Sequence, residues 1–150
     1  MNSITIRQGI PDVETYLGLR RSIGWSIPDL EAASAALANT ECGFLVQRGD
    51  QTVGMATIHG DGVLYFYIQD FIIHREFQNL GYGKRLMDAV MSYINKHASE
   101  KAYVALLAAK GLENFYARYG FIPRPNDKYG AGMFFIKGGK ESERDRTPHC

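Results

Sequence analysis

Gln78-Asn79-Leu80-Gly81-Tyr82-Gly83-Lys84 is the stretch on which the reading of this 150-residue chain turns. It follows an apolar, strand-like run ending Asp70-Phe71-Ile72-Ile73 and opens a helix-like run from Lys84 to His97. A glycine-bearing turn between strand and helix presents backbone N–H groups beside a helix's positive end, which suits a phosphate or pyrophosphate. Spacing narrows the kind of site. Gly81-x-Gly83 lacks the third glycine of a dinucleotide fold, and no acidic residue closes the next strand. The Gly-x-x-x-x-Gly-Lys-Ser/Thr spacing of a P-loop is missing too. A pyrophosphate-sized cradle of another kind remains.

Working outward, the helix after the turn carries Leu86, Met87, Val90, Met91 and Ile94 on one stripe, so it packs on a sheet. Before the turn come three strands in a meander. Cys42 to Arg48 and Thr52 to His59 form a hairpin around Gly49-Asp50, and Val63 to Ile73 follows Gly60-Asp61-Gly62. Ahead of these lie a first strand, Ser3 to Arg7, and two short helices. One begins at Pro11 and shows Val13, Tyr16, Leu17 and Arg20 at helical spacing; the other begins at Pro28-Asp29 with Leu30, Ala33 and Leu37. The loop between them holds the only tryptophan, Trp25, which reads equally as part of a flap over a pocket or as a core plug.

After the long helix, Ala102 to Ala108 reads as a central strand buried on both faces. Leu112, Phe115, Tyr116 and Tyr119 mark a short helix that Gly120 would stop. Phe121-Ile122 starts another strand, Pro123 to Asn126 forms a loop, and Met133 to Lys137 closes the sheet. The order is β-α-α-β-β-β-α-β-α-β-β. One crossover should be right-handed and make a parallel pair. The fold class is α/β, a mixed, mostly antiparallel sheet with helices on both faces. One domain is expected over residues 1–137, with a disordered tail over 138–150.

Composition bounds the function. With 45% apolar and 22% charged residues and a net charge of +1, the chain is a globular domain without the basic face of a nucleic-acid binder. No apolar run reaches the roughly 20 residues of a membrane span, and Met1 to Arg7 lacks the pattern of a signal peptide. Of the two cysteines, Cys42 falls in a strand and Cys150 in the tail, so neither a disulfide nor a metal set is expected. The expectation is a reduced cytoplasmic protein with no metal, no nucleic acid and no membrane partner.

Two segments in register carry a family resemblance. Gln78-Asn79-Leu80-Gly81-Tyr82-Gly83 resembles the Gln/Arg-x-x-Gly-x-Gly/Ala signature of the GNAT N-acetyltransferase superfamily. Asn114-Phe115-Tyr116-Ala117-Arg118-Tyr119-Gly120-Phe121 resembles that family's Phe-Tyr-x-x-x-Gly-Phe segment, separated from the first by one helix and one strand as in the family. The element order agrees from residue 3 to about 137.

The resemblance implies acetyl-CoA as co-substrate and direct acetyl transfer to the primary amine of a small molecule. Gln78, Asn79, Leu80, Gly81, Tyr82, Gly83 and Lys84 would hold the pyrophosphate, with Lys84 and Arg85 read equally as solvated surface charges. The main chain of Phe71, Ile72 and Ile73 would hold the pantetheine arm, and Asn114 would join the coenzyme side. An amide near Phe71 or Ile72 would also polarise the thioester carbonyl. Tyr116 stands where the family places the donor that protonates the leaving thiolate, a role suited to a phenol near pKa 10; its own helix equally reads it as core. A sheet-edge homodimer is a further implication.

The base is less determined by the residues. Tyr65, Tyr67, Gln69 and Phe71 share one face of their strand, with Leu64, Phe66, Ile68, Asp70 and Ile72 on the other. Tyr67 and Gln69 depart from family members that carry Glu or His there. Asp70 is the nearby carboxylate, read either as a base and ammonium ligand or as a structural group hydrogen-bonding backbone amides around the turn. His59 and His74 are further candidate bases, each read more readily as capping a strand end in solvent. Trp25, Tyr65, Tyr67 and Gln69 would line the acceptor pocket beside Gly130 to Met133, suiting an amine with an apolar or aromatic body. Two other functions remain on the residues: a non-catalytic coenzyme-binding regulatory module, and a protein or peptide acetyltransferase.

Overall fold

The computed structural model describes residues 3–138. The chain divides into two compact units, Met1–Leu106 and Leu107–Cys150, and each is described by itself.

The first unit is built on a five-stranded sheet in the order β1-β2-β3-β4-β5. The strands are β1 (Thr5–Gln8), β2 (Cys42–Arg48), β3 (Gln51–Gly60), β4 (Tyr65–Ile73) and β5 (Tyr103–Leu106). The first three pairings are antiparallel, and β4 pairs β5 in parallel, as the expected crossover requires. Three helices belong to it: α1 (Val13–Ser22), α2 (Leu30–Ala38) and α3 (Tyr82–His97). Each of the first two starts on an aspartate whose carboxylate caps it. Asp12 accepts the Thr15 amide and Asp29 the Ala32 amide, both at 2.8 Å.

Burial shows how the layers stack. In β2, Cys42 to Val46 are all buried, and in β3 so are Val53 to Ile58. Successive strand residues point to opposite faces, so an unbroken buried run means that both faces of the sheet's centre are covered. The α3 residues Leu86, Met87, Val90 and Ile94 are buried on the expected stripe. Cys42 is a buried, unbridged thiol. The turn into β4 depends on Gly60, at φ 137°, where a Cβ would overlap the Tyr65 carbonyl. Beside it the Asp61 carboxylate accepts the amides of Val63, Leu64 and Tyr65, which lowers its pKa.

In the second unit α4 (Glu113–Ala117) ends as its glycine predicts. Gly120 adopts φ 93°; its amide bonds to Ala117 O and that of Phe121 to Tyr116 O, the paired closure of a Schellman motif. Asn126 then folds the following loop on itself. Its Oδ1 accepts the amides of Lys128 and Tyr129, both at 2.9 Å.

Two expectations differ from the structure. Phe121-Ile122 and Met133 to Lys137 form no strands; Pro123 and Pro125 lack amide donors, and Met133, Phe134 and Phe135 are exposed. The Ala102 to Ala108 run is therefore not central. Its strand, β5, is four residues long, half-buried, and lies at the sheet's edge. The tail beyond Gly138, with Cys150, lies outside the described residues.

Candidate active site

The site begins with an irregularity in β4. Gly54↔Ile73 and Met55↔Ile72 pair in one register, while Thr57↔Gln69 and Ile58↔Ile68 pair in another. Asp70 and Phe71 therefore stand opposite Ala56 alone, a β-bulge, with Asp70 in left-handed backbone at φ 50°. Burial still alternates along β4 through the bulge, with Phe66, Ile68, Asp70 and Ile72 the buried residues. The recorded parallel register with β5 runs from Tyr65↔Tyr103 to Ile68↔Leu106, and β4 continues past it to Ile73.

The cradle follows directly. The His74 amide bonds to Val53 O at 2.8 Å, and His74 Nδ1 accepts the Glu76 amide, starting the short 3-10 turn Arg75–Phe77. Gln78 Nε2 donates to Ile73 O at 3.0 Å. Asn79 and Gly81 both take left-handed backbone, at φ 64° and 83°. Gly81 is the N-cap of the 16-residue helix α3, where no side chain caps the first turn and no acidic residue lies within it. A Cβ on Gly81 would meet nothing within 4 Å. The helix therefore offers its positive end through a turn that lacks both a capping oxygen and a side chain over Gly81, a donor set that fits a pyrophosphate. The neighbouring cations are occupied. Lys84 forms an exposed pair with Asp88 at 3.0 Å, and Arg85 Nη1 donates to Ile4 O at 3.2 Å.

Asp70, a residue of the bulge itself, is buried, with both carboxylate oxygens engaged. Oδ1 accepts from Arg20 Nη1 at 2.8 Å, and Oδ2 accepts from the Tyr16 hydroxyl at 3.1 Å. The geometry is that of the structural alternative, with side-chain donors from α1 in place of backbone amides. Burial first, then the charge of Asp70, pushes the Tyr16 phenol up to about 12. Arg20 also donates through Nε to Ser26 O at 2.8 Å, and its guanidinium lies 5.5 Å from the Trp25 ring centre. Trp25 is buried, the packed one of its two readings.

Comparison with known proteins now bears on this geometry. The family model described as an acetyltransferase (GNAT) domain matches residues 24–141. The chain belongs to the GNAT family. It is similar to an N-acetyltransferase of Porphyra purpurea, named ycf52 and described as uncharacterised. Identity is 30% over 118 residues, 76% of this chain and 66% of that protein. The chain thus matches just under two thirds of that relative's length. A Staphylococcus aureus protein of unknown function, named as a probable acetyltransferase, superposes with a TM-score of 0.82 and 31% identity, covering 90% of this chain and 99% of that one. An aminoglycoside N-acetyltransferase in complex with coenzyme A shares the fold, with a TM-score of 0.64 at 18% identity over 93% of this chain and 97% of that one.

In this GNAT chain the signature residues Gln78 to Gly83 form the turn just described. The structure joins Gln78 to Ile73, and Asp70 to Trp25 through Arg20. Tyr65 is exposed, while Tyr67, Gln69 and Phe71 are half-buried. Thr57 Oγ1 donates to Gln69 O at 3.0 Å, so the His59 Nε2 that lies 2.9 Å from the same hydroxyl acts as its donor. In the second unit Asn114 is exposed on α4, and Tyr116 is buried between Phe115 and Phe121, with ring centres 5.1 and 6.2 Å away. Sequence reasoning placed Tyr16 and Arg20 only as helix positions. An arginine four residues after a tyrosine on an inward stripe was the available signal, because a charge there needs a buried partner. Among the described residues, no three His, Cys, Asp or Glu side chains gather as a metal set, and no helix is long and apolar enough to cross a membrane.

Proposed function

We propose that this GNAT chain is an acetyl-CoA-dependent N-acetyltransferase that passes an acetyl group directly to the primary amine of a small molecule. The observation that carries the reading is the uncapped N-terminus of α3, opened by left-handed Gly81 and fastened to the end of a bulged β4. Acetyl-CoA, when bound, supplies the acetyl group as an activated thioester.

The chain's own groups have separate tasks in this reading. The turn from Gln78 to Lys84 binds the pyrophosphate through main-chain donors and the helix dipole. The main chain of Phe71 to Ile73 aligns the pantetheine arm as an added strand, and an amide near Phe71 or Ile72 steadies the carbonyl oxygen as charge develops on it. Tyr116 gives its phenolic proton to the departing thiolate, and Asn114 joins the coenzyme side. With both oxygens of Asp70 engaged, no side-chain base is assigned: the amine enters neutral, the proton its nitrogen sheds after attack passes to water, and Tyr116 is reprotonated from water. Tyr65, Tyr67 and Gln69 face the acceptor, with Trp25 packed behind Arg20, which favours an amine with an apolar or aromatic body.

A non-catalytic coenzyme-binding module is the second reading, and the engagement of Asp70 is what favours it. Thiol release from acetyl-CoA over a panel of polyamines, arylalkylamines, amino sugars, amino acids and peptides separates the two. Release with a small amine is expected. Thermal stabilisation by acetyl-CoA without release from any amine would leave the binding module, and release with peptides alone would move the substrate class to proteins.

A further inference from the structure

Of the non-glycine residues at positive φ among the described residues, Asp70, Asn79 and Lys101, only Asp70 is buried. A buried carboxylate on left-handed backbone persists only where its surroundings hold it. Here they hold it from two sides. On one, Arg20 and Tyr16 of α1 take one carboxylate oxygen each, at 2.8 and 3.1 Å. On the other, Thr57 of β3 donates to the carbonyl of Gln69, the residue just before the bulge.

Arg20 is itself fixed. It donates to Ser26 O and lies over both the Trp25 and Tyr16 rings, at 5.5 and 5.7 Å. Its guanidinium fork thus joins three elements at one point: α1, the loop after it, and the bulge. A lysine carries the same charge but lacks the fork.

The bulge sets where the next main-chain groups point, and those groups are Phe71 to Ile73. We infer that Arg20 and Tyr16 are positioning residues for coenzyme binding: through the Asp70 carboxylate they hold the β4 bulge so that the main chain of Phe71 to Ile73 is presented to the coenzyme arm. The inference rests on the coenzyme-binding reading above. It assigns to α1 a function in the donor site, although neither residue touches the coenzyme.

The test compares the wild-type chain with Tyr16→Phe, Arg20→Lys and Arg20→Met. Three quantities are measured: amide hydrogen exchange over residues 69–73 without ligand, coenzyme A affinity by calorimetry, and the thermal midpoint. Arg20→Met is expected to speed exchange at 69–73 and to weaken coenzyme A about tenfold. Arg20→Lys should recover part of that loss, and Tyr16→Phe should weaken binding about threefold.

A lower midpoint with unchanged coenzyme affinity would overturn the inference and leave a purely structural ion pair. Faster exchange without weaker binding would overturn it equally. Arg20→Met leaves a buried carboxylate unpaired and risks unfolding; Tyr16→Phe removes a single oxygen and then decides the matter by the same criteria. Wild-type chain that fails to bind coenzyme A would sink the coenzyme reading and this inference together. Wild-type binding matched by every variant would sink the inference alone.

Discussion

Gln78 Nε2 donates to Ile73 O at 3.0 Å, fastening the turn before α3 to the last residue of β4. The bond joins the two parts of the proposed coenzyme site, the pyrophosphate turn and the strand for the pantetheine arm. Gln78 is exposed, so the bond contributes only about 1 kcal/mol. Gln78→Ala should lower the thermal midpoint by only about 2–4 °C and weaken coenzyme A by up to roughly fivefold, the equivalent of about 1 kcal/mol, because the untied turn must then be ordered on binding. Calorimetry checks this, and undiminished affinity would show that the turn holds its shape without the tie.

Gly81→Glu tests the cradle itself. A Cβ there meets nothing within 4 Å, so the fold is opposed only by the left-handed φ of 83°, a cost of about 1–2 kcal/mol. The new carboxylate, however, would stand at the positive helix end where an anion is proposed to bind. The variant should fold and lose stabilisation by acetyl-CoA in a thermal shift assay. Undiminished stabilisation would remove the pyrophosphate from this turn.

The strand, turn and helix around Gly81 were legible because their determinants are local: an apolar run, a turn with Gly81, and a stripe from Leu86 to Ile94 lie next to one another in sequence. The bulge was not. Strict alternation assigns Asp70 to the face of Ile68 and Ile72, and the extra residue exists only through pairing with Thr57 and Met55 on β3. The partners of Asp70 are hidden for the same reason, since Tyr16 and Arg20 lie some fifty residues away in sequence. Met133 to Lys137 shows the reverse failure. Its apolar pattern is that of a strand, but a strand also needs a ladder partner, which no local pattern supplies.

Tyr116→Phe addresses the proposed proton donor. The residue is buried against Phe115 and Phe121, and phenylalanine keeps that packing while removing the hydroxyl. If the phenol protonates the thiolate, turnover should fall roughly 10²- to 10⁴-fold with coenzyme affinity almost unchanged. Steady-state kinetics on the best amine of the panel, with calorimetry for coenzyme A, separates the outcomes. Weakened binding with intact turnover would make Tyr116 a packing residue or part of the coenzyme site.

Tyr16 gives the chain an alkaline signature. Burial and the Asp70 charge raise its phenol to about 12 from the ordinary 10.0. Between those values the folded chain keeps a proton that the unfolded chain has released, so unfolding loses a proton and stability falls as pH rises. The contribution is fully present below pH 10 and is lost on approaching pH 12. Tyr16→Phe removes the titrating group, so its urea midpoint should decline less than the wild type's between pH 9.5 and about 11. Parallel curves for the two proteins over that range would show that Tyr16 ionises as an ordinary exposed phenol and that its hydroxyl is not held against Asp70.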